Sequence, residues 1–271
     1  MNIPETIPVQ VNREQLSKVM KRVTKGTASG PSSWSLEHMQ ALFFGSEQGA
    51  EVLLELINLG LAGTLPPWQE VRASRVVMLL KKGGGIRPIA IGEVLTRLMS
   101  MCAMAACPKL GPALAPLQVG VGLRGGAQCL GHAIMSGVLE HPDDAAMQLD
   151  FKNASNTLDR AAMLQAVVQR APQLLRFVQW MYRCASPLWV AGSLWSKAGV
   201  RQGDPLGPLL FALKLQDGLH ETQRWNAVVT VCVGCCGRPF AERTYPTLFV
   251  IYSKQVISQE RRSLFCSAIY T

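Results

Sequence analysis

Apolar residues recur at helical spacing through the first quarter of the chain and then give way to short β-branched runs, so helices come first and strands follow. From Arg13 to Val23, the residues Leu16, Val19, Met20 and Val23 fall on one helical face. Thr24 to Ser33 is a Gly/Ser/Pro loop; Ser35 then caps a helix through Leu42, and Glu51 to Leu61 predicts a third that stops near Gly60 and Gly63. Arg75 to Leu80 and Ile86 to Ile91 are two strand-like runs joined by Lys81-Lys82-Gly83-Gly84-Gly85, a hairpin with a cationic tip. Glu93 to Cys107 reads as a Met- and Ala-rich helix, closed by Pro108, Pro112 and Pro116.

Ala145 to Phe151 is a short apolar strand that brings Asp150 to its carboxyl end. Asp159 to Gln169 and Pro172 to Cys184 predict helices, Leu188 to Leu194 alternates like a strand, and Lys197 to Pro208 is a polar loop before an apolar helix from Leu209 to Leu219. Helices and strands mix without a regular βαβ repeat, which predicts an α+β fold. Beyond Gln223 the character changes: Val228 to Val233 predicts a strand, and the remainder to Thr271 has no clear period. Residues 1–223 are therefore expected to form the folded part, and residues 224–271 a divergent, poorly ordered tail.

Composition narrows the classes of function. With 48% hydrophobic and 17% charged residues the chain is globular in character, and 27 Lys and Arg against 18 Asp and Glu give a formal charge of +9. That balance favours polyanionic partners, nucleic acid before an acidic membrane surface. No apolar run reaches the roughly 18 residues of a membrane span, and the start, Met1-Asn2-Ile3-Pro4-Glu5, lacks the basic and apolar regions of a signal peptide. An intracellular location, nuclear or cytoplasmic, is expected. The 8 cysteines are scattered as free thiols would be, and Cys232, Cys235 and Cys236 alone cluster, as half of a zinc site at most.

Four segments carry candidate chemistry. Gly120-Val121-Gly122-Leu123-Arg124-Gly125 fits the dinucleotide fingerprint by letter, but prolines precede it where that fingerprint needs a strand, which favours a plain turn. Lys81 and Arg87 flank the glycine tip of the hairpin, where two cations could hold a triphosphate or could simply face solvent. Asp150 stands where a strand can project a metal-binding carboxylate, although a turn or capping aspartate would occupy the same place. Phosphoryl transfer with two Mg²⁺ about 4 Å apart needs several hard oxygen ligands, and one carboxylate cannot hold both ions. The most specific run is Gly199-Val200-Arg201-Gln202-Gly203-Asp204-Pro205-Leu206-Gly207-Pro208-Leu209-Leu210-Phe211, a Gly/Pro turn that opens a helix with Gln202 free to meet a base.

These parts, in this order, resemble the reverse transcriptases (RNA-directed DNA polymerases) of non-LTR retrotransposons. Gly199 to Phe211 is similar to their motif B, and Leu149-Asp150-Phe151-Lys152-Asn153-Ala154-Ser155-Asn156-Thr157-Leu158-Asp159-Arg160 to motif A. Ser29-Gly30-Pro31-Ser32 with Leu36-Glu37-His38-Met39 resembles the extra amino-terminal finger segment, Lys81 to Ile91 the finger hairpin, and Gln118 to Gly122 the segment before motif A. The resemblance covers about Thr24 to Gln223. It implies a partial right-hand polymerase, fingers and the front half of the palm without the thumb, binding an RNA template or RNA/DNA hybrid and dNTP with Mg²⁺ as cofactor. By the same resemblance Asp150 and the Phe151 carbonyl are metal ligands, Lys81 and Arg87 meet the triphosphate, Ser155 lies near the sugar, and Gln202 and Gly203 lie beside the nascent base pair.

Three departures bear on activity. Ser155 stands where the family has a bulky aromatic that blocks the 2′-hydroxyl. No adjacent aspartate pair follows Asp144, and the nearest echo of the family's Tyr/Phe-x-Asp-Asp is Ile251-Tyr252-Ser253-Lys254. The thumb is missing as well. The resemblance thus implies a truncated, catalytically silent domain that binds Mg²⁺ weakly; a non-catalytic nucleic-acid-binding remnant and an element relic without function are the alternatives. Asp150 and the Gln202-Gly203 turn are expected to face one cleft under the hairpin, and the Asp150 strand to lack the neighbour that the family's next motif supplies.

Overall fold

The computed structural model describes residues 6–80, 85–140, 145–150, 154–190, 192–201, 203–223, 228–232 and 247–252. The chain divides into two compact units, one of Met1–Cys107 with Ser155–Gly207 and the other of Pro108–Ala154 with Pro208–Thr271. Neither unit is continuous in sequence. Residues 224–271 contribute strands to the second unit, and the β1–β2 hairpin and the Gly199–Gly207 turn both belong to the first.

The first unit opens with α1 (Arg13–Arg22), α2 (Leu36–Gly45) and α3 (Glu47–Leu61). Asn12 and Ser35 start the first two as capping boxes, and each thereby satisfies amide groups that the first helical turn leaves open. α3 begins four residues before the predicted Glu51, because the Ser46 hydroxyl caps it through the Gly49 N–H. Strands β1 (Ser74–Leu80) and β2 (Ile86–Gly92) form the predicted antiparallel hairpin, followed by α4 (Val94–Ala106). Leu16 and Met20 of α1, Leu53, Ile57 and Leu61 of α3, and Leu98, Met99 and Cys102 of α4 are fully buried and build the core where these helices meet. Each large aliphatic chain removed from water in this way contributes roughly 2 kcal/mol.

Two pieces of secondary structure straddle or complete the units. After β3 (Ala145–Asp150) in the second unit, α5 (Gly126–Glu140) having preceded it, comes the short helix α6 (Ala154–Thr157) and then α7 (Arg160–Arg170). In the first unit α8 (Leu175–Tyr182) presents Phe177, Val178 and Met181 to the core. The run read as one strand from Leu188 to Leu194 is two antiparallel strands, β4 (Ser186–Val190) and β5 (Gly192–Ser196), paired from Ser186 opposite Ser196 to Val190 opposite Gly192, a pairing that alternation along one run does not record. β4 lies parallel to β1, which gives a four-stranded sheet in the order β2-β1-β4-β5.

In the second unit α9 (Gly207–Gln223) carries the apolar helix onward, and β6 (Val228–Cys232) and β7 (Thr247–Tyr252) join β3 in an antiparallel sheet ordered β3-β7-β6. α5 packs against this sheet. β7 corrects the expectation of a missing neighbour: it pairs with β3 along the strand, from Ala145 opposite Tyr252 to Asp150 opposite Thr247. Thr247-Leu248-Phe249-Val250-Ile251-Tyr252 is a continuous apolar run, and such a run offers neither the alternation nor the helical period by which strands and helices are read. The buried Gln118 amide donates to the Ala212 carbonyl at 2.7 Å and to the Gln216 side chain at 2.6 Å, tying the Gln118–Gly122 segment to α9. α5 does open directly after the Gly120–Gly125 loop, while turns and a 3-10 segment (Pro112–Leu114) stand where a dinucleotide site would have a strand.

Candidate nucleic-acid site

Three segments far apart in sequence converge in the first unit. The amide of Val200 donates to the Ser155 carbonyl at 2.8 Å and that of Gly199 to the Leu158 carbonyl at 2.9 Å, so the end of the Asp150–Arg160 stretch is bonded to the start of the Gly199–Phe211 turn. Gly199 has φ +69°, and a Cβ there would lie 2.4 Å from the Asn156 carbonyl oxygen; a side chain is excluded on both counts. Further along the turn, Gly203 sits so close to β2 that a Cβ would lie 2.4 Å from the Ala90 oxygen. The turn is thus held between the short helix α6 and strand β2.

Arg160 fixes the turn from below. Its guanidinium donates to the carbonyls of Gly199 at 2.9 Å and Ser196 at 3.0 Å and to the Ser196 hydroxyl at 2.7 Å. Burial lowers its pKa, with Tyr182 opposing the shift and Arg201 adding to it. Tyr182, from the end of α8, donates its hydroxyl to Asp204 Oδ2, whose other oxygen accepts the Leu206 N–H at 3.0 Å and helps open α9. The guanidinium groups of Arg160 and Arg201 lie 5.3 and 5.5 Å from the Tyr182 ring centre, within cation–π range. Complete burial, and then the Asp204 carboxylate, push the Tyr182 hydroxyl well above its usual pKa, so it remains a donor.

The Ala28–Ser32 segment is anchored nearby. Glu93, buried at the start of α4, accepts the Ser32 N–H at 2.7 Å and the Ser32 hydroxyl at 2.6 Å. Arg75 and Arg97 donate to the carbonyls of Ser29 and Ala28 at 2.9 and 2.6 Å. A small cavity of about 10 Å³ beside the turn is lined by Gly92, Thr96, Arg97, Met181, Arg201, Gly203 and Asp204; it has room for about one water.

Of the residues singled out from sequence, Ser155 is half-buried in α6 with its carbonyl on Val200, and Gly203 is pressed on β2. Lys81, Phe151 and Gln202 lie outside the described residues, as do the side chains of Arg87 and Asp150; the backbone places Arg87 in β2 opposite Leu79 and Asp150 at the end of β3. Cys235 and Cys236 are likewise outside. Arg160, Tyr182, Glu93 and Ser32 emerge as structural determinants that sequence reasoning gave no role. Tyr182 looks like one more apolar position of a helix, and its partner Asp204 is 22 residues away.

Two aspartates beside the turn are committed to other partners. Asp159 is committed to capping α7 through the Ala162 N–H at 2.6 Å, and Asp204 is spent on Tyr182 and Leu206. β7 sets Thr247 opposite Asp150 and carries no carboxylate over its length. Among the described residues no group of three or more His, Cys, Asp or Glu is placed to hold a metal, whereas a two-metal centre needs several such anions. No described helix is long and apolar enough to cross a membrane.

Comparison with known proteins supports an origin in a retrotransposable element. The chain is similar to the Retrotransposable element SLACS 132 kDa protein of Trypanosoma brucei gambiense, with 29% identity over 234 residues. The match takes in 80% of this chain and 19% of that protein, so the chain spans about a fifth of the length of the relative it matches. No protein-family model matches.

Proposed function

We propose that this chain is the fingers and front palm of a reverse transcriptase of retrotransposon origin, which retains nucleic-acid and dNTP binding but not polymerisation. The observation that carries this reading is the convergence of β2, the end of the Asp150–Arg160 stretch and the Gly199–Phe211 turn in one compact unit. A polymerase needs such a convergence, because the residues that meet the triphosphate, the sugar and the base pair come from separate segments and must reach one nucleotide. Lys81 and Arg87 would take the triphosphate, Ser155 the sugar, and Gln202 and Gly203 the base pair, with Asp150 and the Phe151 carbonyl as what remains of the metal site. The formal charge of +9 and the similarity to a retrotransposable element protein support the same reading.

Silence follows from charge. Two divalent cations bring four positive charges, and Asp150, the one carboxylate that the resemblance assigns to the metals, would neutralise one of them. Losing one such ligand typically lowers a rate on the order of 10³-fold. Purified protein given a primed RNA template, dNTPs and Mg²⁺ or Mn²⁺ should show no primer extension but should bind the primed template at low ionic strength. Extension that vanishes in Asp150→Asn would overturn the claim of silence. Absence of binding even at low salt would leave the relic reading.

A further inference from the structure

The four-stranded sheet of the first unit leaves apolar side chains exposed on both faces, Met78 and Leu194 on the face of Ser74, and Trp189 and Trp195 on the other. Side chains alternate along a strand, and register carries that alternation across the sheet. Ser74, Ser186 and Ser196 fall on one face, where Ser74 and Ser186 are buried and the Ser196 hydroxyl accepts from Arg160. The other face sets Arg75 beside Trp189 and Pro187 beside Trp195. Trp189 and Trp195 are 51% and 43% exposed. Two large indoles left in water on neighbouring strands of one face mark a surface that something else covers.

Charge indicates what covers it. Residues 71–92 and 183–203, which build this sheet and its turns, contain no Asp or Glu although the chain has 18 of them. They contain eight Lys and Arg; Arg72 and Arg201 are buried, while Arg75, Arg183 and Lys197 are exposed, Arg75 also donating to the Ser29 carbonyl. An apolar protein partner has no need of an acid-free surface. A polyanion with flat apolar rings needs both features at once, because bases stack on indoles while phosphates meet the flanking cations.

We propose that Trp189 and Trp195 form a stacking platform for single-stranded nucleic acid, with Arg75, Arg183 and Lys197 on its phosphates. The inference rests on the reading that the chain binds nucleic acid, and it adds a contact surface outside every segment that resembles a polymerase motif. Stacking accepts any base, so the platform holds the strand without selecting its sequence.

Full-length protein is titrated into a labelled 12-nucleotide RNA and into an abasic strand of the same length. The double variant Trp189→Ala/Trp195→Ala should bind the base-bearing strand about tenfold or more weakly and the abasic strand as the parent does; Trp189→Phe/Trp195→Phe should recover most of the affinity. Both positions are exposed, and an unchanged far-UV spectrum verifies that the variants fold. Equal binding of the base-bearing strand by parent and double Ala variant overturns the platform and leaves the nucleic-acid reading intact. No binding by the parent at low salt overturns both. A double Ala variant that changes from dimer to monomer in light scattering with its RNA affinity unaltered also overturns the platform, and assigns the face to a second copy of the chain.

Discussion

Tyr182 donates its hydroxyl to Asp204 where water cannot replace the bond, so Tyr182→Phe removes a charge-assisted hydrogen bond while keeping the ring. The carboxylate is then left buried with one partner fewer, at a cost of about 1–3 kcal/mol, readable as a lower urea midpoint with an unchanged slope. A second residue gives a pH signature. Burial raises the Cys102 thiol from 9.0 to about 12. The folded chain therefore holds that proton more tightly than the unfolded one: the stabilisation is complete below about pH 9 and is lost as pH rises toward 12. Stability measured from pH 8 to 10.5 should fall less steeply in Cys102→Ala than in the parent. A thiol reagent should modify the exposed Cys129 and Cys184 in the native protein and reach Cys102 only on unfolding.

At the scale of elements, the Gly199–Gly207 turn is positioned by close approach more than by its own sequence. Gly203→Ala must move the turn or β2, because 2.4 Å between a Cβ and a backbone oxygen is well inside contact distance. It should cost about 1–3 kcal/mol in urea unfolding and weaken binding of a primed template. Gly45→Ala, at the end of α2 with nothing within 4 Å and no positive φ, is the control, expected to be neutral or slightly stabilising. Local signals made much at this scale legible: the hairpin of β1 and β2, the Ser35 cap and α7 all stand where the pattern puts them. The misread spans share a cause. The helix start at Glu47, the split of Ser186–Ser196 into two strands and the strand at Thr247–Tyr252 each depend on a cap, a turn or a pairing that hydrophobic periodicity does not record.

For the molecule as a whole, charge sets the expected response to salt. If the binding surface neutralises about four phosphates of a single strand, log K should fall with log salt at a slope of about −3. A flat dependence would mean that the excess of 27 basic over 18 acidic residues is not what holds nucleic acid. Removing residues 224–271 strips β6 and β7 from β3 and exposes its paired edge, so the shortened protein should aggregate at concentrations where the full chain stays dispersed in light scattering. By itself the sequence determined the mixture of helices and strands, the capped helix starts, the basic hairpin and the order of the segments that resemble polymerase motifs, because each is written within a few neighbouring residues. The tertiary structure alone decided that Ser32 meets Glu93 across 61 positions, that Tyr182 meets Asp204, that Ser155 is bonded to the turn at Val200 and that Thr247 stands opposite Asp150. Those partners lie far apart along the chain, and only burial, which makes an unpaired polar group or strand edge costly, selects which of many chemically suitable residues become neighbours.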